Sequence, residues 1–374
     1  MPARFIIDGD GATIRETRIE ESPTRPRKRQ RTDSGCNSER EGCYTPTGVV
    51  ENDEEFFRSD GDCLLRVENT RFKVNAALLS DASYMLGDII RRQHDGTERA
   101  IVLITSAAKF RALCWAIYAS PEQLTPAGPD HQFVERMLQL ANISQQMNCH
   151  RFSRISSAFL LRTIGSPSFG ASCSSPLFAQ LIDTAIQTSD DELLDTTVAV
   201  WSARIRTNDA PCVPAIIAAD MHELSSLRGL AYYMHVQTML ADAGMNARGA
   251  TAFQTDLSRL NNAQVTRLLS GHWSLVSLCE QLRRVPTKFI CACGGTCAKT
   301  WAERWSAAAR SERVGAIRAA ALLSLLGTMQ QMLGVDAELA AGMGKECRKA
   351  ALEAFTSRAR ELEDGLPDHF FGWL

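Results

Sequence analysis

The chain has 374 residues, 45% of them apolar and 22% charged, with a formal net charge of -2. At about 150 residues per domain this is room for two folded domains with sizeable cores. The near-neutral balance excludes a whole-chain attraction to nucleic acid or membrane, so any such pull has to come from a local patch.

Residues 1–52 are polar and charged, with few large apolar side chains, and are expected to form a disordered arm. Such a segment cannot bury enough surface to offset chain entropy. The stretch Met1 to Asp8 lacks the apolar core of a signal peptide. The twelve cysteines are therefore expected as reduced thiols in a nuclear or cytoplasmic setting rather than as disulfides. Within the arm, Arg25, Arg27, Lys28, Arg29 and Arg31 make five of seven consecutive residues basic. This is a candidate nuclear-import run, with a plain solvated charge run as the alternative. Five charges neutralise few phosphates, so nucleic acid is not an expected partner. Gly9-Asp10-Gly11 is not a dinucleotide fingerprint, because Ile14 stands where the third glycine belongs.

Order is expected from near Phe56, in a first domain over 53–168. Cys63–Val67 and the alternating Phe72 and Val74 flank Glu68-Asn69-Thr70, which is a hairpin signal. Asn75 to Ser80 follows. A helix then runs from Asp81 to Arg92, capped by Ser80-Asp81, with Ala82, Met85, Leu86, Ile89 and Ile90 at helical spacing. Ile101–Ile104 reads as a strand covered on both faces. Ser106 caps a helix that aligns Phe110, Leu113, Cys114, Ile117 and Tyr118 on one face. Pro121, Pro126 and Pro129 mark a loop. Helices around Phe133–Ala141 and over His150–Thr163 follow.

In this order, Asp60-Gly61-Asp62-Cys63-Leu64-Leu65-Arg66-Val67, Phe72-Lys73-Val74-Asn75, Leu78-Leu79-Ser80-Asp81-Ala82-Ser83 and Lys109 to Ala119 resemble the signature of the BTB/POZ family. The similarity is to the fungal BTB/POZ proteins in particular and spans roughly 55–165. It implies an α+β fold, a small three-stranded sheet with helices. It also implies a protein–protein contact module that pairs with itself through its first helices. Some members recruit cullin-type ubiquitin ligases or corepressors. The residues expected at such an interface are Phe56, Phe57, Asp62, Leu64, Asn75, Leu78, Leu79 and Met85. The family usually carries histidine and a basic residue where this chain has Asn75-Ala76, so no titrating histidine is expected there. Asn75 can cap the next helix. No apolar-x-acidic docking motif stands at Ser120-Pro121-Glu122, so self-pairing is favoured over a cullin partner.

From Ser172 onward strand signals are scarce. Periodic segments at Pro176–Thr188, Glu192–Arg206, Val213–Ala243, Asn261–Arg284, Thr296–Ser311, Arg313–Leu333 and Ala337–Leu362 predict an all-α domain over 172–374. Leu268 to Leu275, followed by Cys297, Trp301 and Trp305, is similar to the tail of some fungal BTB/POZ proteins. No catalytic constellation stands out, and neither an enzyme nor a cofactor is expected. His222-Glu223-Leu224-Ser225-Ser226 lacks the second imidazole of a zinc-protease helix. Gly344-Lys345 is followed by Glu346 rather than Ser or Thr, and no Gly-x-Ser-x-Gly elbow occurs.

One constellation remains open. Cys291, Cys293 and Cys297 could give three of four zinc ligands, with Cys279 or His272 as the fourth. The alternatives are redox thiols and buried or idle cysteines. Cys297, Trp301 and Trp305 share an i, i+4, i+8 stripe, the spacing of a core face.

Overall fold

The computed structural model describes residues 49–93, 99–126, 131–245, 259–291, 293 and 296–371. The basic run Arg25 to Arg31 lies outside them. Residues 48–374 make one unit of a mixed α+β architecture, a small sheet followed by helices.

The sheet has four strands rather than the expected three: β1 (Glu51–Phe57), β2 (Cys63–Val67), β3 (Thr70–Val74) and β4 (Ile101–Leu103), in the order β1-β3-β2-β4. β2 and β3 form the expected antiparallel hairpin, with Cys63 opposite Val74 and Val67 opposite Thr70. Cys63, Leu65, Val67, Phe72 and Val74 point inward, which is the alternation that placed the hairpin. Glu68 turns it in the left-handed region, with φ 53. Its carboxylate accepts the Ala107 N–H at 3.0 Å, a contact that offsets part of the cost of that backbone for a residue with a Cβ.

β1 pairs in parallel with β3 and takes in Glu51 and Asn52, which the arm was expected to hold. Its sequence ENDEEFF buries only Asp53 and Phe56. Asp53 accepts the N–H groups of Glu55 at 3.1 Å and Phe56 at 2.9 Å, and Arg111 Nη2 at 2.7 Å. β4 runs parallel to β2 along the other edge. It is not covered on both faces: Ile101 and Leu103 are buried, but Val102 is 62% and Ile104 90% exposed.

Between β3 and β4 stand α1 (Ala76–Ala82) and α2 (Tyr84–Gln93). The break falls at Ser83, not at Ser80-Asp81. Ser83 is buried, its hydroxyl accepts the Leu86 N–H at 3.1 Å, and it donates to the Met147 carbonyl. That polar anchor to a distant segment fixes the corner, and helical periodicity alone does not reveal it.

Then come α3 (Ala107–Tyr118), α4 (Pro121–Leu124), α5 (His131–Gln146), α6 (His150–Ile164), α7 (Pro167–Ser172), α8 (Ser175–Thr188), α9 (Asp191–Arg206), α10 (Cys212–Met221) and α11 (Ser225–Met245). Phe72 meets Phe110 of α3 edge-on at 4.9 Å. α5 packs on α3 and α6, and also on α8, while α6 packs on α9. Helices on either side of residue 170 therefore share apolar contacts.

Further helices span Asn262–Arg284, Thr296–Ala309, Glu312–Gly315, Leu322–Gly334, Ala337–Gly342, Lys345–Asp364 and Leu366–His369. Three long periodic segments each break in two. Val213–Ala243 breaks at Glu223, which is left-handed with φ 56. Arg313–Leu333 breaks between Gly315 and Leu322, and Ala337–Leu362 at Met343-Gly344. No helix among the described residues is long and apolar enough to cross a membrane.

The Leu366–His369 helix closes onto α11 and onto Asn262–Arg284. A Cβ at Gly229 would lie 2.5 Å from the Pro367 nitrogen, and one at Gly271 would overlap the buried Phe370 ring. Only glycine admits so close an approach of another segment to these helices. Beside it, Ser274 Oγ and His369 Nδ1 are 2.8 Å apart. Burial pushes the His369 imidazole below its ordinary value of 6.5, and nearby Asp368 offsets part of that shift. The folded state thus holds a proton less readily than the unfolded chain. The stabilisation is complete above the ordinary histidine value and is lost as pH falls through it toward the lower folded value. Urea midpoints of the wild type are expected to drop between about pH 7 and pH 5, with a shallower drop in His369→Gln. Equal slopes would remove His369 as the cause.

Candidate functional site

Two places concentrate unusual chemistry: the first helix pair, and a group of thiols in the C-terminal half.

On the helix pair, Leu79, Leu86 and Ile90 face the core. A helix pair of this length needs one apolar stripe, and these residues fill it. Leu78 at 40%, Tyr84 at 79% and Met85 at 36% exposure are surplus to that stripe. Of the residues expected at an interface, Phe57, Leu78 and Met85 are exposed and Leu64 is half-buried. Phe56 and Leu79 belong to the interior instead. Phe56 stacks against Tyr118 with ring centroids 6.2 Å apart. Tyr84 was not singled out, because its position breaks the helical period of its neighbours.

Asp62 and Asn75 act as caps. Asn75 Oδ1 accepts from Ala77 N at 2.9 Å and Leu78 N at 3.3 Å, and Asp62 Oδ1 accepts from Ala76 N at 2.7 Å. Together they satisfy three N–H groups at the start of α1 and set a carboxylate at its positive end. The Asn75 N–H donates to Tyr118 Oη at 3.1 Å, which ties the same corner to α3.

His222 lies at the break between α10 and α11, 2.6 Å from Asp183. His222-Glu223 is therefore not on a helix at all, and the likeness to a zinc-protease helix ends there.

The thiols converge differently from the expectation. Cys279 is fully buried within its helix, and burial pushes its thiol up to about 11. Neither it nor half-buried His272 joins Cys291, Cys293 and Cys297. The fourth sulfur is that of Cys347, fifty-six positions beyond Cys291. The Sγ atoms of Cys291, Cys293, Cys297 and Cys347 all lie within 4.8 Å of one another. Among the described residues, this is the one group of three or more potential metal ligands that converges in this way. Cys291 and Cys293 are 3.0 Å apart, Cys293 and Cys297 3.1 Å, and Cys291 and Cys347 3.8 Å.

Cys297 begins the helix Thr296–Ala309, and Cys347 lies in the first turn of Lys345–Asp364. Hydrogen bonds from Cys291 and Cys297 draw the Cys293 thiol down to about 5, and its proton-donating neighbour Cys297 rises to about 11. Further along the stripe, Trp301 and Trp305 are buried as expected. Trp301 Nε1 donates to the Thr287 carbonyl at 2.9 Å, which holds the segment leading into the cysteines. Sequence spacing found three of the four thiols because they fall within seven consecutive residues. Cys347 has no sequence neighbour of its kind, and only the docking of its helix brings it in.

No family model matches the chain, and comparison with curated proteins and with solved structures returns no similar protein.

Proposed function

We propose that the chain is a protein–protein interaction protein rather than a catalyst, built on a BTB/POZ-type module that pairs with a second copy of itself through α1 and α2. The observation that carries this reading is the surplus of exposed apolar side chains on a helix pair whose core-facing stripe is already complete. Leu78, Tyr84 and Met85 are exposed on one short stretch of sequence, and exposed apolar surface marks contact sites. The element order of hairpin, helix pair, strand and helices agrees with the sequence resemblance, and self-pairing is what that resemblance implies. The helical half holds a second partner in this reading, and two linked sites raise effective concentration as an adaptor requires. The corepressor-like or cullin-type partner rests on the resemblance alone. The basic run Arg25 to Arg31 serves as a nuclear-import signal.

Light scattering on the full chain over a wide concentration range is expected to give twice the 41.2 kDa chain mass. The full chain is the right sample because α5 and α6 pack on α8 and α9. Leu78→Asp with Met85→Asp is expected to weaken pairing by about a hundredfold or more, the scale of losing a central apolar contact, with far-UV circular dichroism unchanged. A strict monomer at the highest concentration would overturn the reading.

A further inference from the structure

Ordinary core packing explains a buried thiol, but it does not explain four sulfurs in one place at the surface. Cys297 and Cys347 are buried, yet Cys291 is half-exposed and Cys293 exposed. Hydrophobic burial gives Cys293 no reason to turn toward the others. A disulfide would draw two sulfurs to about 2.0 Å, and the closest of these pairs is 3.0 Å apart. Zinc bound tetrahedrally by thiolates at about 2.3 Å sets its sulfurs about 3.8 Å apart. The separations of 3.0, 3.1 and 3.8 Å, within an outer limit of 4.8 Å, bracket that spacing.

The surroundings suit a thiolate set. The Thr296 hydroxyl stands 3.7 Å from Cys293 Sγ. Two of the four cysteines lie in the first turns of helices of 14 and 20 residues. The positive ends of both helix dipoles thus face sulfur, which favours the deprotonated form that binds metal. A hydroxyl so placed orients its ligand and takes up part of the charge of a tetrathiolate centre.

The site also has mechanical work to do. The segment from Val285 to Cys291 has no regular backbone pairing, and it leaves Ile290 in solvent. Its anchors are the Thr287 carbonyl on Trp301 and the edge contact of Phe289 with Trp301. A metal held by Cys291, Cys293, Cys297 and Cys347 joins this segment to the helix Thr296–Ala309 that follows it and to the helix Lys345–Asp364, which is remote in sequence.

We propose that Cys291, Cys293, Cys297 and Cys347 bind one zinc ion as a structural tetrathiolate centre that staples the 285–291 segment to the start of the Lys345–Asp364 helix. Each sulfur that is still protonated gives its proton to solvent as it binds. Soft sulfur ligands exclude magnesium and calcium, and four protein ligands leave no open position for catalysis. The centre is independent of pairing through α1 and α2, so either proposal can fail without the other.

The test is elemental analysis of the full chain, purified under reducing conditions without chelator. About one zinc per chain is expected, and under one-tenth in Cys293→Ser, as for a site that has lost one of its four ligands. Cys293 is exposed, so its serine variant keeps the core. Cys279→Ser, which removes a thiol outside the group, is expected to retain the metal. Cobalt added to the metal-stripped, reduced wild type is expected to give sulfur-to-cobalt charge-transfer and tetrahedral absorption bands, absent in Cys347→Ser. Less than one-tenth equivalent of zinc with no cobalt bands would overturn the proposal. So would equal zinc in the wild type and Cys293→Ser, or an equivalent of iron in place of zinc.

Discussion

Arg111→Met is expected to lower the stability of the sheet-bearing half by about 2–4 kcal/mol, because it strands the Asp53 carboxylate inside the protein. The Asp53 side chain is 0% exposed, and Arg111 reaches it through Nε at 2.9 Å and Nη2 at 2.7 Å. Removing one partner of a buried pair costs about 3–5 kcal/mol. Arg111 is 45% exposed on its own side, so water screens part of that loss and the lower range applies. The effect should be local before it is global. Hydrogen exchange is expected to quicken first at the Glu51 N–H, which bonds the Asn69 carbonyl, and at the Arg58 N–H, which bonds the Lys73 carbonyl. Asp53→Ala in the same background is expected to recover part of the loss, since no charge is then left buried. An Arg111→Met variant within about 0.5 kcal/mol of wild type would mean that the ion pair is not what holds β1.

That pair also explains why β1 escaped the sequence. Strand patterns are read from alternating apolar residues, and Glu51–Phe57 offers one buried apolar side chain and one buried carboxylate. Its anchor is an acid whose partner lies fifty-eight positions away. The β2–β3 hairpin was legible because its inward set is wholly apolar. The covered strand expected at Ile101–Ile104 is a three-residue edge that leaves Val102 in water, with Ile104 exposed just beyond it, and composition cannot separate these cases. Helix existence was legible through most of the second half. The breaks at Glu223 and Gly344 were not, since each interrupts a continuous apolar period only through backbone geometry.

The thiol group shows the same division. Crowding in sequence put Cys291, Cys293 and Cys297 forward, while Cys279 and His272 were the nearest upstream candidates. Proximity in sequence misled because their helix turns Cys279 into the core. Cys347 arrives through tertiary docking, where the Lys345–Asp364 helix packs on Thr296–Ala309. The apolar surplus on α1 and α2 was half legible. Leu78 and Met85 lie among expected interface residues, but nothing local distinguishes them from Leu79 and Leu86, which the fold buries.

Trp305→Ala is expected to cost about 3–5 kcal/mol, the range for emptying a large aromatic site in a core. The ring is 1% exposed and meets Phe355 edge-on at 4.9 Å and Trp301 at 5.7 Å. Its Nε1–H donates to the Leu282 carbonyl at 2.8 Å. Truncation therefore opens a cavity and also leaves a buried acceptor without its donor, which adds to the loss. Trp305→Phe separates the two contributions. It keeps most of the ring contact with Phe355 and gives up the hydrogen bond, so a loss of about 1–2 kcal/mol is expected. Urea unfolding followed by circular dichroism measures both. Because Trp305 continues the helical face that carries Cys297 and Trp301, the alanine variant should also loosen the thiol group. Alkylation of Cys297, buried in the wild type, is expected to accelerate in Trp305→Ala and to stay near the wild-type rate in Trp305→Phe. Equal losses in the two variants would place the whole effect in the hydrogen bond to Leu282 and none in the packing of the ring.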